Sequence, residues 1–237
     1  MEPIDRRSVV DVLEECLRAD ILGGIHQAGT KLPPERDLAA GYGVNRATLK
    51  HALSRLEQAG LLVTRHGVGS RVRDFLASGG ADLLPLLVQE DAGWLDDVFE
   101  ARRAVGSLIA RRGAEQAGPR TAALRRTAAL RRTVQAVAAA SDAQRAQSAE
   151  AEVHRELARL SCNRVYVLLT NTLLAAYVPV RHLLTGPFED PALAGERLLP
   201  LTEAVEAADA AGAGRAAADY LDLTGGLMLA ALKERRP

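Results

Sequence analysis

From Asn45 to Lys50 the chain reads Asn-Arg-Ala-Thr-Leu-Lys, a run in which each polar side chain can meet a nucleic acid. An arginine guanidinium pairs with guanine O6 and N7, and a lysine reaches guanine or phosphate. Asparagine and threonine at a helix start can contact phosphate. Arg46 is therefore the foremost candidate base reader, since no acid on the same helix is placed to neutralise it. Lys50, Asn45 and Thr48 are its companions. Arg36 is a further candidate for the DNA backbone, with a surface ion pair to Glu35 or Asp37 as the alternative. His66-Gly67 suits close approach to a minor groove, or else His66 merely shapes a hairpin tip.

Charge points the same way only when counted locally. The 30 Lys and Arg are balanced by 30 Asp and Glu over the 237 residues. Between Ile25 and Arg73, however, eight basic residues face three acids, an excess of five that phosphate binding can use. Elsewhere the candidates for chemistry are few. Glu150 and His154 lie four residues apart on one helical face, which is half of a conceivable metal site. No nucleophile sits with a histidine and an acid, no phosphate loop is present, and no Cys/His cluster has metal spacing. The expectation is no enzyme, no cofactor and no metal.

These residues need elements to hold them. A first helix is expected from Arg6 to Leu22, with Val9, Leu13, Cys16, Leu17 and Ile21 at helical spacing and Gly23-Gly24 as its stop. A second, from Pro34 to Gly41, has proline and an acid in its first turn. A turn through Tyr42-Gly43-Val44 leads to a third, from Arg46 to Ala59, capped by Asn45 and ended by Gly60. Strands at Leu61–Thr64 and Ser70–Val72 flank the glycine-bearing tip at residues 65–69. Helix, turn, longer helix and hairpin make a winged helix-turn-helix, in which the third helix enters the major groove.

After Arg73 the strand signals stop. Aromatics are 3% of the chain, and alanine dominates its second half, a composition that suits packed helices. Helices are expected at 81–88, 93–116, 119–140, 142–160, 165–184, 195–210 and 214–235. The TAALRR repeat within 120–133 reads as a surface helix with solvated arginines. The fold class is thus mainly α: a winged helix-turn-helix over 1–74, a connector over 75–80, and an all-helical sensing and dimerisation domain over 81–237. The start of the chain leads into a charged amphipathic segment, and the most apolar stretch, 165–180, is too short to span a bilayer. Cytoplasmic placement, with Cys16 and Cys162 as buried free thiols, follows as an expectation.

The segment GTKLPPERDLAAGYGVNRATLKHALSRLEQAGLLVTRHGVGSRV, Gly29 to Val72, resembles the DNA-binding domain of the GntR-type regulators. Its elements LPPERDLA, GVNRATLKHAL, LEQAGLL and HGVGSRV are specific in combination. The resemblance implies operator contacts at Arg36, Arg46, Thr48, Lys50, His66 and Gly67. Lys50 stands where arginine is usual, and Asn45-Arg46-Ala47 replaces a Ser/Thr-rich turn. The second half, through Ala77–Gln116 and His154–Leu183, resembles the fatty-acid-responsive FadR type. That resemblance implies a seven-helix bundle binding long-chain acyl-CoA, with Arg103, Tyr166, Tyr177 and Thr224 at the ligand site. Leu221 and Met228 replace the tryptophan and glycine of that branch's last helix. The other sensor branch completes a metal site with two histidines, at whose positions this chain has Leu198 and Tyr220. The function so implied is a homodimeric repressor released from a palindromic operator by its effector. A small-carboxylate sensor, with or without metal, and a constitutive dimeric DNA-binding protein are the alternatives; an enzyme fused to a DNA reader is the remotest.

Overall fold

The computed structural model describes residues 8–65, 67–118 and 127–235. The chain divides into two compact units, Met1–Glu90 and Asp91–Pro237, each with its own core.

The first unit is a winged helix-turn-helix. Its first helix, α1, spans Val9–Leu22 and is started by Ser8, whose side chain and that of Asp11 cap one another's backbone N–H groups. Leu13, Leu17 and Ile21 form its buried stripe. Helix α2 (Glu35–Gly41) buries Leu38 and Ala39, and α3 (Arg46–Gln58) buries Leu49, Ala52, Leu53 and Leu56. The turn between them needs Gly43 at φ +65°, a left-handed conformation open to glycine. Strands β1 (Leu62–Arg65) and β2 (Gly69–Val72) pair antiparallel, with Leu62 opposite Val72 and Arg65 opposite Gly69. Lys31 adds an isolated bridge to Arg71.

The segment expected to be a plain connector contains a helical turn, α4 (Phe75–Ser78), capped by Asp74. The helix expected at 81–88 is a 3₁₀ turn (Ala81–Leu83) running into α5 (Leu84–Glu90). Helix α5 groups with the first unit instead of the second, since Arg18 of α1 donates Nε to Glu90 at 2.9 Å.

The second unit is all helical. Two long helices, α6 (Trp94–Ala117) and α12 (Ala210–Arg235), run against each other as its main packing pair. Close approach depends on small residues: a Cβ added at Gly106 would overlap Leu221 Cδ1. Around this pair lie α7 (Ala128–Ala138), α8 (Ala143–Leu160), α9 (Arg164–Ala176), α10 (Pro191–Glu196) and α11 (Leu199–Glu206). Three expected helices differ. That at 165–184 ends at Ala176 and continues as a 3₁₀ turn over Val178–Leu183, because Pro179 has no N–H to carry the α-helical ladder. That at 195–210 is two helices, with Pro200 in the first turn of the second and Ala208 at φ +56° after its end. Of that at 119–140, residues 119–126 fall outside the described residues. The second TAALRR copy is half buried: Thr127 and Leu130 face inward, while Arg131 pairs with Glu206 on α11.

Both cysteines are exposed, contrary to expectation. Cys16 lies off the Leu13–Leu17–Ile21 stripe, and Cys162 occupies a left-handed turn (φ +55°) just past α8. Among the described residues, no helix is long and apolar enough to cross a membrane.

Candidate functional site

The candidate nucleic-acid surface is built on the N-terminal end of α3. Asn45 is extended (φ −77°, ψ 159°), and its Oδ1 accepts the Thr48 N–H at 2.8 Å. Its carbonyl side is thus committed to starting the helix, and the amide nitrogen is what it has left to offer a phosphate. Arg46, Lys50 and Asn45 are exposed and Thr48 is half-buried. Arg46 does have an acid nearby, supplied by α2 instead of its own helix: Glu35 Oε2 lies 3.7 Å from Nη2. With the arginine side chain 67% exposed, that pair is weak and easily exchanged for a stronger partner. Arg36 pairs with Asp37 at 3.2 Å while 86% exposed, so the same exchange is open to it.

The basic excess is smaller in three dimensions than in the sequence. Arg55 is turned to α1, where Nη1 lies 2.6 Å from Asp11 Oδ1 and 3.1 Å from Glu14 Oε2. The Arg55 bond holds Asp11 down to about 2. Arg71 donates to the Gly29 carbonyl and Arg73 to that of Ser78. Lys31, Lys50 and Arg65 make no ion pair among the described residues. The hairpin tip carries Gly67 at φ +74°, exposed, and Glu57 braces its base by accepting the Thr64 N–H at 2.8 Å. His66 lies outside the described residues.

The four residues assigned to an effector differ in setting. Arg103 is half exposed, with Nε 3.6 Å from Asp222, on the outer side of α6. Tyr166 is half-buried on α9. Thr224 is buried, and its hydroxyl is spent on the Tyr220 carbonyl at 2.8 Å. Tyr177 is buried and belongs to a polar cluster whose centre is Arg102, one residue before the arginine singled out in the sequence.

Arg102 is 5% exposed and Glu150 is fully buried. Glu150 Oε1 receives Arg102 Nη2 at 2.6 Å, His154 Nε2 at 2.6 Å and the Tyr220 hydroxyl at 3.4 Å. The guanidinium lies 5.6 Å from the centre of the Tyr177 ring, which itself meets Phe99 edge-on. Burial works against the Glu150 charge, yet the Arg102 and His154 partners outweigh it and hold the carboxyl down to about 2. Burial likewise pushes Tyr177 up to about 12 and Tyr220 well above the ordinary phenol range. Arg102 Nε and Nη1 and Glu150 Oε2 are buried with no partner. Beside Arg102 and His154 lies a cavity of about 20 Å³, room for roughly one water, walled otherwise by Thr170 and aliphatic side chains.

Arg102 was legible in the sequence through spacing. It falls on the series Leu95, Val98, Phe99, Arg102, Gly106, Ile109, Ala110, Gly113, the inward stripe of α6, whereas Arg103 falls off it. Tyr220, one of the two positions aligned with the histidines of the metal-binding branch, meets both Glu150 and His154. The positive group against this pair is a guanidinium, and no group of three His, Cys, Asp or Glu is placed to hold a metal among the described residues.

Comparison with known proteins converges on one reading. Residues 10–72 match the family model of bacterial regulatory proteins, gntR family, and residues 97–223 match the FCD domain. The HTH-type transcriptional regulator Rv0494 of Mycobacterium tuberculosis is 33% identical over 235 residues, covering 99% of this chain and 95% of that protein. The fatty acid metabolism regulator protein of Salmonella typhi is 28% identical over 191 residues, covering 78% and 76%. The solved structure of E. coli McbR/YncC superposes with a TM-score of 0.53 at 16% identity, covering 94% of this chain and 98% of that one, which speaks for the fold alone. The chain therefore belongs to the GntR family: it is a transcriptional regulator, not an enzyme, with a winged helix-turn-helix followed by an FCD domain.

Proposed function

We propose that this regulator binds a palindromic operator as a homodimer and leaves it when an effector enters the helical unit. The observation that carries the DNA half is the exposed, Asn45-capped start of α3, with Arg46 and Lys50 beside a glycine-tipped hairpin. A single such unit offers few base contacts, and doubling it supplies specificity against genomic competitors. An effector that favours a different spacing of the two α3 helices than the ~34 Å repeat of DNA lowers operator affinity by its differential affinity for the two states.

Long-chain acyl-CoA is the effector that the resemblance implies, and the named function of the Salmonella relative supports it. An apolar tail gains roughly 0.8 kcal/mol for each CH₂ buried, which the aliphatic walls beside Arg102 could supply. The cavity of about 20 Å³ admits no such tail as it stands, so entry requires its walls, drawn from α6, α8, α9 and α12, to rearrange. A small carboxylate is the second reading, favoured by the unpartnered Arg102 donors.

Selection of sites from a random duplex library, followed by sedimentation of the complex, tests the first half. A palindromic consensus and two chains per duplex are expected; a single chain at full affinity on an asymmetric site overturns it. Fluorescence anisotropy with acyl-CoA of increasing chain length tests the second. Release should improve with length, and inertness across the series rejects acyl-CoA.

A further inference from the structure

We infer that Lys31 is a phosphate contact of the DNA-binding unit, holding the backbone strand that runs between the major groove entered by α3 and the minor groove met by the hairpin tip. The inference rests on the reading of α3 and the hairpin as the DNA-binding surface, and adds to it a residue that the resemblance does not assign.

Lys31 belongs to the hairpin although it precedes α2 in the chain. The Leu32 N–H donates to the Ser70 carbonyl and the Val72 N–H to the Thr30 carbonyl, each at 2.9 Å, and Lys31 itself bridges Arg71. Residues 30–32 thus make a short third edge on β2, which ties the Lys31 backbone to the hairpin. Gly69 then places the side chain. A Cβ added at position 69 would stand 3.1 Å from Lys31 Cε and 3.8 Å from Nζ, so the lysine stem lies against bare glycine backbone. Gly69 has φ +101°, a second reason for glycine at that position.

Lys31 lines an open groove of about 370 Å³ on this unit, together with Glu35, Arg36, Arg46, Gly67 and Gly69. Three cations meet one acid there. Arg36 and Arg46 each have an acidic neighbour, and Arg71, across the bridge from Lys31, spends Nη1 on the Gly29 carbonyl at 2.7 Å. Lys31 is exposed and has no ion pair among the described residues. An ammonium is a compact charge suited to a phosphate.

Duplex DNA supplies the phosphate at this place. A major groove that holds α3 and the neighbouring minor groove that receives the hairpin tip are separated by one sugar-phosphate strand, which has to cross between the two elements. Arg46 sharpens the need for a further cation. Once it turns to a base it leaves Glu35, and an unpaired carboxylate then stands in the groove that the strand crosses. Lys31 offsets that charge.

Fluorescence anisotropy with the full chain tests this on a duplex selected from the random library and on a scrambled one. Lys31→Gln should weaken binding to both by about tenfold and lower the slope of log affinity against log salt by about one, with Lys31→Arg retaining most of the affinity. Single neutral methylphosphonates placed in turn along each strand locate the contact. One position per half-site should cost the wild type about tenfold and Lys31→Gln no more than about twofold, the mark of two changes that remove one interaction. Urea midpoints of both variants should match the wild type. A slope and affinity unaltered by Lys31→Gln, a loss confined to the selected duplex, or the absence of coupling at every position overturns the inference. So does calorimetric binding of inorganic phosphate without DNA that Lys31→Gln abolishes, which would make the groove a site for a free anion. An inert Lys31→Gln beside a damaging Arg46→Ala removes Lys31 alone; if Arg46→Ala is inert as well, the reading of α3 as the DNA-binding helix falls with it.

Discussion

The two units handle charge in opposite ways. On the DNA-binding unit Arg36 and Arg46, the cations proposed to meet DNA, are 86% and 67% exposed and lie 3.2 and 3.7 Å from Asp37 and Glu35, pairs they can leave at little cost. In the helical unit Arg102 and Glu150 are withdrawn from water and locked at 2.6 Å. Exposed cations are interchangeable contributors to a field that recruits a polyanion, and each contributes modestly. A buried ion pair is strongly position-specific, because each charge needs the other to offset its lost hydration.

The largest effect should come from breaking the buried pair. Glu150→Ala leaves the Arg102 guanidinium unpaired and is expected to cost about 3–5 kcal/mol in urea unfolding. Replacing both residues by methionine should recover most of that loss; a double variant as unstable as the single one would mean that the pair is not the cause. The same pair sets an acid limit. The folded Glu150 carboxyl is lowered to about 2, so its contribution is present above the ordinary glutamate range. It is lost as pH falls from there toward 2. Urea midpoints measured between pH 7 and pH 3 should therefore decline more steeply for the wild type than for the double methionine variant.

Next in size is Arg46→Ala, expected to weaken operator binding by about 1–3 kcal/mol and to blunt base preference with unfolding unchanged. Anisotropy titrations on the selected site and on a scrambled one check both parts. Asn45→Ala should cost about 1 kcal/mol of stability through the lost cap, and some DNA affinity with it. An unchanged urea midpoint would remove Asn45 from the positioning role.

The smallest effect sharpens the comparison within the basic unit itself. Lys50→Ala should reduce the slope of log affinity against log salt by about one if it meets phosphate. Arg55→Ala should leave that slope unaltered, since Arg55 faces Asp11 and Glu14. Equal slopes for the two variants would erase the distinction between a cation that faces DNA and one that ties α1 to α3.

Periodicity and local chemistry alone determined much of this protein. The Leu49–Leu56 stripe, the Asn45 cap, the Gly43 turn and the glycine-tipped hairpin are local properties, and the winged helix-turn-helix could be written from them. Helix breaks at Pro179 and Pro200 were as visible locally, yet long apolar runs masked them, because burial of a stripe says nothing of where the backbone ladder stops. Tertiary structure alone decided which charges are spent. Glu35 reaches Arg46 from another helix, Asp11 and Glu14 claim Arg55, and Glu90 draws α5 into the first unit. It also decided which of two adjacent arginines points inward and what stands beside it. Helical phase puts Arg102 on the buried stripe, but only the crossing of α6, α8 and α12 brings Glu150, His154 and Tyr220 to it. The Arg102–Glu150 ion pair and the Tyr220–Glu150 hydrogen bond join residues 48 and 70 positions apart, a separation at which no local pattern carries information.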